Sequence, residues 1–381
     1  MWPQFLAYSV TLGIPIASVY QIRKHPEQAS SVAAAALLVS ALMGSVASII
    51  GFLVIPHSLH SYSPGLIRFA QWAMLISPLS LLGVTLATMV QSAGAFRWYN
   101  FFRVAQPLSI VCVLCIGWIA HGVTVSSAAL TYLLAGIPIT VWNGVWVYRH
   151  FRPRLSSGSM EVMRPLFSYG LRAWGADLLG TVANQVDRLL VVSMLPAHAM
   201  GMYVVSQSVA GLLNVLPSAV NTILLPSAAG RPLTEVAELT GRAVRATLAG
   251  LLLIATPLFF FGGALLAVVY GNKYDGAAGI LRILLGEAIL DGVTSVLAQA
   301  FMARGLPGTV TLLEGCGLFT AVPLMYWLIP RYGLQGAAYA LLLATACRFS
   351  FVIGSYPLRL GMKIPSMMLR ASDVSAFRRA R

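Results

Sequence analysis

The stretch YGLRAWGADLLGTVANQVDRLLVV, Tyr169 to Val192, combines the length of a membrane-crossing helix with several polar side chains. A charge at the centre of a bilayer costs several kcal/mol, so such groups are rare in membrane helices and usually face a partner or a watery cavity. The stretch therefore predicts a membrane helix with one polar side. Its charged and amide side chains are Arg172, Asp177, Asn184, Asp187 and Arg188.

The composition of the whole chain is that of a polytopic membrane protein. Of its 381 residues, 58% are hydrophobic and 9% are charged, and the mean hydropathy is +0.80, whereas soluble domains carry about 25% charged residues. The net charge of +14 predicts no nucleic-acid partner, because basic residues collect in cytoplasmic loops of membrane proteins. The cysteines lie in apolar runs and predict packing rather than disulfides or a metal site: Cys112, Cys115, Cys316 and Cys347.

Eleven apolar runs of about 20 residues can each cross the hydrocarbon core. With the N-terminus outside, 18 of the 25 Lys and Arg residues fall in cytoplasmic segments, as the positive-inside rule requires. The chain is thus expected to be a multi-pass protein of the cell inner (cytoplasmic) membrane, embedded in the lipid bilayer. The runs are residues 3–22, 32–55, 66–90, 104–120, 127–148, 166–194, 201–226, 246–270, 278–302, 308–329 and 334–357.

A faint internal repeat divides these spans into five and six. LATMVQSAGAFRWYNFFR (86–103) aligns without gaps with LAQAFMARGLPGTVTLLE (297–314) at an offset of 297 − 86 = 211, and transporters built from two like halves show such symmetry. The sequence predicts an all-α membrane protein with two pseudo-symmetric bundles. Its parts are a five-span N-terminal bundle, 1–150; a basic cytoplasmic linker, 151–164; a six-span C-terminal bundle, 165–360; and a basic cytoplasmic tail, 361–381.

The repeat also predicts a helix that the chain does not contain. By the same offset, the partner of the span beginning at Pro165 would start at 165 − 211 = −46, upstream of Met1. We therefore expect a 6+6 pattern from which the first helix is missing. A misassigned start codon and a natural eleven-span protein both explain this.

The run FSYGLRAWGADLLGTVANQVDRLLVVSMLPAHAMGMYVVSQSVAGLLNVLPSAVNTILLPSAAG (167–230) resembles the seventh and eighth spans of Wzx-type oligosaccharide flippases. These belong to the multidrug/oligosaccharidyl-lipid/polysaccharide exporter superfamily. The matching features are Asp187 followed by apolar residues, Gly201 with Tyr203 after a short outer turn, and Pro226 at the cytoplasmic end.

The resemblance extends to two further turns, VYGNKYDGAAGILRILL (269–285) and IPRYGLQGAAYALLLAT (329–345). It implies two six-helix bundles around a central cavity. It also implies a flippase that moves a polyprenyl-diphosphate-linked oligosaccharide across the membrane by ion-coupled alternating access. No catalytic residue, metal or cofactor is expected.

A polar stripe on one helix is the first candidate site. At about 100° per residue, Asp177, Thr181, Asn184 and Arg188 fall within a narrow sector, with Asp187 to one side. Arg172 lies near the cytoplasmic end. The stripe is expected to line a polar cavity and bind substrate, although a salt-bridge network that only joins helices would use the same residues.

A second polar stripe lies in RILLGEAILDGVTSVLAQAF (282–301), where Glu287 and Asp291 are one turn apart. Two ionised acids at this spacing repel, so one of them, the deeper Asp291, is expected to hold a proton and to couple transport to a proton or sodium gradient. Glu314 and Arg348 are the remaining charges of the later spans, and we expect them to pair with each other.

Three classes of function remain open at this point. The leading one is the lipid-linked oligosaccharide flippase, with Arg side chains receiving the diphosphate. A multidrug or cation extruder of the same fold would use the acids to bind its substrate directly. A membrane-embedded glycosyltransferase or acyltransferase would need acids or a His at the outer surface, where the only loop acid is Asp275.

Overall fold

The structure is a computed structural model that describes residues 10–58, 64–121, 127, 130–131, 134–154, 159–271 and 276–366. All regular secondary structure in these ranges is helical. The α-helices are α1 (Ile14–Lys24), α2 (Ala29–Ser58), α3 (Pro64–Ala73), α4 (Ser77–Ser92), α5 (Phe96–His121), α6 (Ile137–Phe151), α7 (Ser159–Met194), α8 (Ala197–Ala210), α9 (Val215–Ala228), α10 (Leu233–Tyr270), α11 (Ala277–Ala303) and α12 (Pro307–Ser355).

The described helices form eleven rods, which confirms the eleven predicted spans. Short 3-10 segments, Met74–Ile76 and Gly211–Asn214, join α3 to α4 and α8 to α9. Gly333, with φ +57 and ψ −133, divides α12 into a first rod, residues 307–332, and a second rod, residues 334–355. A π-helical turn, Tyr356–Leu360, follows the second rod.

Six helical segments of the described chain are long and apolar enough to cross a membrane, so the protein is a multi-pass membrane protein. Helices α7 and α11, which carry the polar stripes, are not among the six. The six are Pro26–Pro56, Ile67–Ser92, Phe96–Ile119, Ala199–Ala228, Leu233–Tyr270 and Pro307–Leu360.

The chain folds into two compact units, residues 1–174 and 175–381. In the first unit, α4 packs against α1, α2, α5 and α6. Small residues bring α2 and α4 close together: a Cβ added to Gly44 would lie 2.4 Å from the Cα of Pro78. The buried hydroxyls of Ser40 and Thr85 hydrogen-bond at 2.7 Å across the same contact, as is common between membrane helices.

The beginning of α7 also belongs to the first unit. Tyr169 of α7 stacks on Tyr20 of α1, with ring centroids 4.4 Å apart. Gly13, at φ +65, precedes α1 and lies against Gly170 of α7. A Cβ added to Gly13 would lie 2.1 Å from the Gly170 carbonyl oxygen. The boundary between the units thus falls within α7, and the cytoplasmic linker at 151–164 stays a prediction.

In the second unit, α11 is the central helix. It packs against α8, α9, α10 and α12, and a Cβ on Gly292 would lie 2.7 Å from the ring of Pro217. The Tyr356 hydroxyl after α12 donates to the Leu297 carbonyl of α11 at 2.8 Å. This close packing places the polar residues of α11 among the helices around it.

Candidate functional site

Arg348, on the second rod of α12, contacts two carboxylates on different helical rods. Its Nη1 lies 2.5 Å from Oε2 of Glu314 on the first rod, which confirms the pairing predicted from the sequence. Its Nη2 contacts Asp291 of α11, a contact that the sequence analysis did not anticipate. The side chain of Arg348 is 14% exposed, that of Glu314 24% and that of Asp291 33%. The two ion pairs therefore lie largely inside the unit.

Glu287, one turn before Asp291 on α11, has a different environment. The Thr345 hydroxyl donates a hydrogen bond of 2.8 Å to its Oε1. Thr345 and Arg348 lie one turn apart on the second rod, so they contact successive acids of α11. Arg348 thus supplies a positive charge to Asp291, whereas the hydroxyl that contacts Glu287 is neutral. The expectation that Asp291 holds a proton stays a prediction.

Asp187, near the end of α7, is the most deeply placed acid, with 4% of its surface exposed. Its Oδ2 accepts hydrogen bonds from the Tyr203 hydroxyl at 3.0 Å and from the Gln207 side chain at 2.9 Å, both on α8. Asp187 also lies within electrostatic range of Glu287. It therefore belongs to the polar interior of the second unit together with the acids of α11.

Local sequence explains how these side chains meet. Tyr203 and Gln207 are four residues apart, so they lie on one face of α8. Gly317 of the first rod leaves room for the arginine, since a Cβ there would lie 3.3 Å from Cδ of Arg348. The sequence analysis missed Tyr203, Gln207 and Thr345 as acid partners. A polar pair at helical spacing within an apolar run was the available signal.

The polar stripe predicted on α7 is described only in part. Asp177 is exposed and lies within electrostatic range of Glu314. The side chains of Thr181, Asn184 and Arg188 lie outside the described residues. The role of this stripe in binding substrate therefore stays a prediction.

Arg172 lies in the part of α7 that belongs to the first unit. Its guanidinium donates to the Ser168 carbonyl at 2.7 Å and to the Ser168 hydroxyl at 2.6 Å, one turn earlier on the same helix. The side chain is exposed. This position agrees with a residue near the cytoplasmic end of the span.

The described polar interior of the second unit carries more negative than positive charges. Four carboxylates, Asp187, Glu287, Asp291 and Glu314, accompany the guanidinium of Arg348, and a second buried guanidinium, that of Arg245 on α10, donates to the Ser366 carbonyl. Such an excess of buried acids suits the binding of a cation or a proton. Within the described ranges, no group of three or more His, Cys, Asp or Glu side chains has the arrangement of a metal site.

Comparison with protein families gives one match that covers most of the chain. The family model described as "Polysaccharide biosynthesis protein" matches residues 4–279.

Two curated proteins are similar to the chain. The probable low-salt glycan biosynthesis flippase Agl15 of Haloferax volcanii is 23% identical over 254 residues, covering 64% of this chain and 53% of the relative. A putative O-antigen transporter of Shigella flexneri is 21% identical over 247 residues, covering 63% and 58% respectively. The matched region thus spans somewhat more than half the length of each relative.

Solved structures of MATE transporters share the fold. A Vibrio cholerae MATE transporter matches with a TM-score of 0.80 at 14% identity. The matched region covers 94% of this chain and 87% of the transporter. The MATE transporter ClbM in complex with Rb+ has a TM-score of 0.76 at 15% identity, with coverage of 99% and 88%. At these identities the likeness establishes the fold, which agrees with the all-α transporter architecture predicted from the sequence.

Proposed function

Because the chain belongs to the polysaccharide biosynthesis protein family and has the fold of MATE transporters, we propose that it is a secondary transporter. Its cargo is a polyprenyl-diphosphate-linked oligosaccharide, which it flips across the inner membrane by alternating access. The names of the two relatives, a glycan biosynthesis flippase and an O-antigen transporter, support this substrate class. A transporter rather than an enzyme also agrees with these relatives.

The proposed substrate-binding face is the polar stripe of α7. Arg188 and Arg172 carry the positive charge that a diphosphate requires, and guanidinium groups bind phosphate oxygens in a bidentate manner. Asp177 and Asn184 supply hydrogen-bonding groups for sugar hydroxyls, and Asp187 would join them only in a state in which it exchanges its contacts with Tyr203 and Gln207. Arg172 would meet the diphosphate at the cytoplasmic end of α7, where its present partner is Ser168.

The observation that carries the proposal of ion coupling is the charge network around Arg348. A proton or sodium ion at Glu287 would remove one negative charge from α11, one turn from the Asp291 to Arg348 ion pair. The balance of attraction between Arg348 and its two acids would then change, and the second rod of α12 would move relative to α11. Glu287 and Asp291 therefore form the proposed ion-coupling pair, with Glu287 binding the ion.

The test of ion coupling is transport by the purified full chain in proteoliposomes under an imposed proton or sodium gradient. We expect Glu287→Gln to abolish the dependence of flipping on the gradient while the protein still folds. The matched control is the wild type in the same gradients, measured with and without an ionophore that dissipates them. Flipping by Glu287→Gln that still follows the gradient would overturn the coupling role.

A multidrug or cation extruder is the second candidate, and the excess of buried acids favours it. In that case the acids bind a cationic substrate directly and Arg188 is structural. Replacing Arg188 by Ala in a flippase-deficient host separates the candidates. Loss of oligosaccharide export supports the flippase, whereas unchanged export together with drug resistance conferred by the chain supports the extruder.

A further inference from the structure

The last turns of α6 carry a surface cleft of about 280 Å³ in the first unit, and all of its lining residues lie on this helix. Its lining residues recur at the spacing of one helix face: Trp142, Val145, Trp146, Arg149 and His150. Nothing in the proposed transport cycle uses these residues. By the positive-inside rule, this end of α6 faces the cytoplasm.

Aromatic rings on two helices hold the apolar side of the cleft in place. Trp142 packs against Trp98, Phe101 and Phe102 of α5, with ring centroids 6.4, 5.5 and 6.2 Å apart. Rings at such distances and tilts attract each other through their edges and faces. The position of the Trp142 indole is therefore fixed by α5.

The cytoplasmic side of the cleft is positively charged. Arg149 is exposed, and the imidazole of His150 stacks on the indole of Trp146 with centroids 4.9 Å apart. Between Glu27 and Glu161 the sequence contains no acid.

Two acids flank this part of the sequence, Glu27 and Glu161, and Glu161 is exposed in the first turn of α7. The Ser30 hydroxyl donates to the Arg152 carbonyl at 2.8 Å, which ties the start of α2 to the end of α6. Glu27 itself is exposed and lies 3.3 Å from Nδ1 of His25. Among the ion pairs of the described residues, none joins Arg149 to Glu27 or Glu161.

Below the basic end, the surface becomes apolar. Val141 and Trp142 of α6 are 56% and 51% exposed, and α5 presents further exposed apolar side chains at Val104, Leu108 and Val111. A cation above, indole rings in between and a hydrocarbon surface below follow the order of headgroup, interface and acyl chain in a lipid leaflet.

We propose that this cleft binds an anionic phospholipid of the cytoplasmic leaflet. The phosphate contacts Arg149 and His150, the glycerol region lies against Trp142 and Trp146, and the acyl chains follow α5 and α6. Charge complementarity selects the occupant: the Arg149 guanidinium offers a cationic donor to the phosphate, the His150 ring offers a further N–H donor, and apolar side chains face the acyl chains. A zwitterionic lipid can have the same acyl chains, but its cationic headgroup would lie near the Arg149 guanidinium and repel it.

Native mass spectrometry of the full chain in detergent tests the proposal. The probes are phosphatidylglycerol, phosphatidylcholine with the same acyl chains, and farnesyl diphosphate as a polyprenyl-type phosphate. Wild type should retain phosphatidylglycerol about tenfold better than phosphatidylcholine. Arg149→Gln should lose most of this preference, Arg149→Lys should keep part of it, and Arg154→Gln, in the same basic segment but outside the cleft, should keep it fully.

Three results would overturn the proposal. The first is equal retention of the two phospholipids by wild type. The second is an equal effect of Arg149→Gln and Arg154→Gln, which would indicate general surface charge. The third is full displacement of phosphatidylglycerol by farnesyl diphosphate, which would assign the cleft to the transported lipid. Circular dichroism of each variant serves as the control for folding.

Discussion

Arg348 and Glu314 lie on the two rods of α12, on opposite sides of the break at Gly333, with Nη1 and Oε2 2.5 Å apart. The pair therefore holds the two rods together inside the second unit. Since Asp291 contacts the same guanidinium from α11, one cation connects three helical rods. The stability of this unit and its response to ions should both depend on Arg348.

Replacing Arg348 by Met should destabilise the protein strongly. The change leaves Asp291 and Glu314 as largely buried acids without their cation, and breaking a buried pair from one side costs on the order of 3 kcal/mol. Thermal unfolding in detergent should show a lower midpoint. Arg331→Met is the matched control, because Arg331 is exposed and stacks on Trp327 at 4.1 Å, so its loss should cost less than about 1 kcal/mol.

Neutralising both acids should rescue the Arg348 variant. The triple variant Arg348→Met, Asp291→Asn, Glu314→Gln removes the unpaired charges and should regain part of the lost stability. An unfolding midpoint for the triple variant no higher than that of Arg348→Met would contradict the ion-pair account.

Glu287→Gln and Asp291→Asn should differ in their effects on transport. Glu287→Gln should uncouple flipping from the ion gradient with little loss of stability, because an amide still accepts the hydrogen bond from Thr345. Asp291→Asn should lower stability by about 1–3 kcal/mol, because Arg348 loses one of its two charged partners, and should weaken the gradient dependence only in part, because Glu287 still binds the ion. Proteoliposome transport and thermal unfolding measured on both variants check this contrast, and identical profiles would refute it.

Tyr203→Phe should destabilise the second unit through Asp187. The hydroxyl donates to a carboxylate that is 4% exposed, and removing one donor to a buried charged group costs about 1–3 kcal/mol. Tyr339→Phe is the control, since Tyr339 is 41% exposed. If both variants unfold at the same temperature, the hydrogen bond to Asp187 contributes nothing measurable.

Gly333→Ala should destabilise α12, because φ +57 with ψ −133 is a conformation that residues with a Cβ rarely adopt. The expected cost is about 1–3 kcal/mol. Gly354→Ala is the matched control on the same helix: it has a helical conformation and no atom within 4 Å of a built Cβ. That variant should be neutral or stabilising by up to about 1 kcal/mol.

The orientation of the chain is open to a direct labelling test. On a background without the native cysteines, Ser156→Cys should react only with reagents that reach the cytoplasm. Ser61→Cys should react from outside. Both positions lie outside the described residues, and the expectation rests on the distribution of basic residues; the opposite labelling pattern would reverse the orientation and the leaflet assigned to the α6 cleft.

Hydropathy and charge predicted the rods well, because a membrane helix must be both long and apolar. The eleven spans and the Glu314 to Arg348 pair were therefore predictable. The second partner of Arg348 was not, since Asp291 and Arg348 are 57 residues apart and no periodicity relates two different helices. For the same reason the different contacts of Asp291 and Glu287, an arginine and a threonine, could not be read from the sequence.

The hydroxyl and amide partners were the hardest to predict. Thr345, Tyr203 and Gln207 look like ordinary polar residues of apolar helices, and only the packing of α8 and α12 shows that each contacts an acid. The split of α7 between two units was likewise invisible, because hydropathy is continuous along that helix.

The uneven distribution of charge along the chain has an electrical consequence. The membrane voltage does work only on charges that move through its field, about 2.3 kcal/mol per elementary charge per 100 mV. Apart from Arg172 near the cytoplasmic end of its span and Arg68 at the outer end of the run 66–90, the charges within the eleven runs belong to residues 175–381. If the cycle is electrogenic, the voltage sensor and its gating current should therefore reside in the second unit, with the first unit electrically silent.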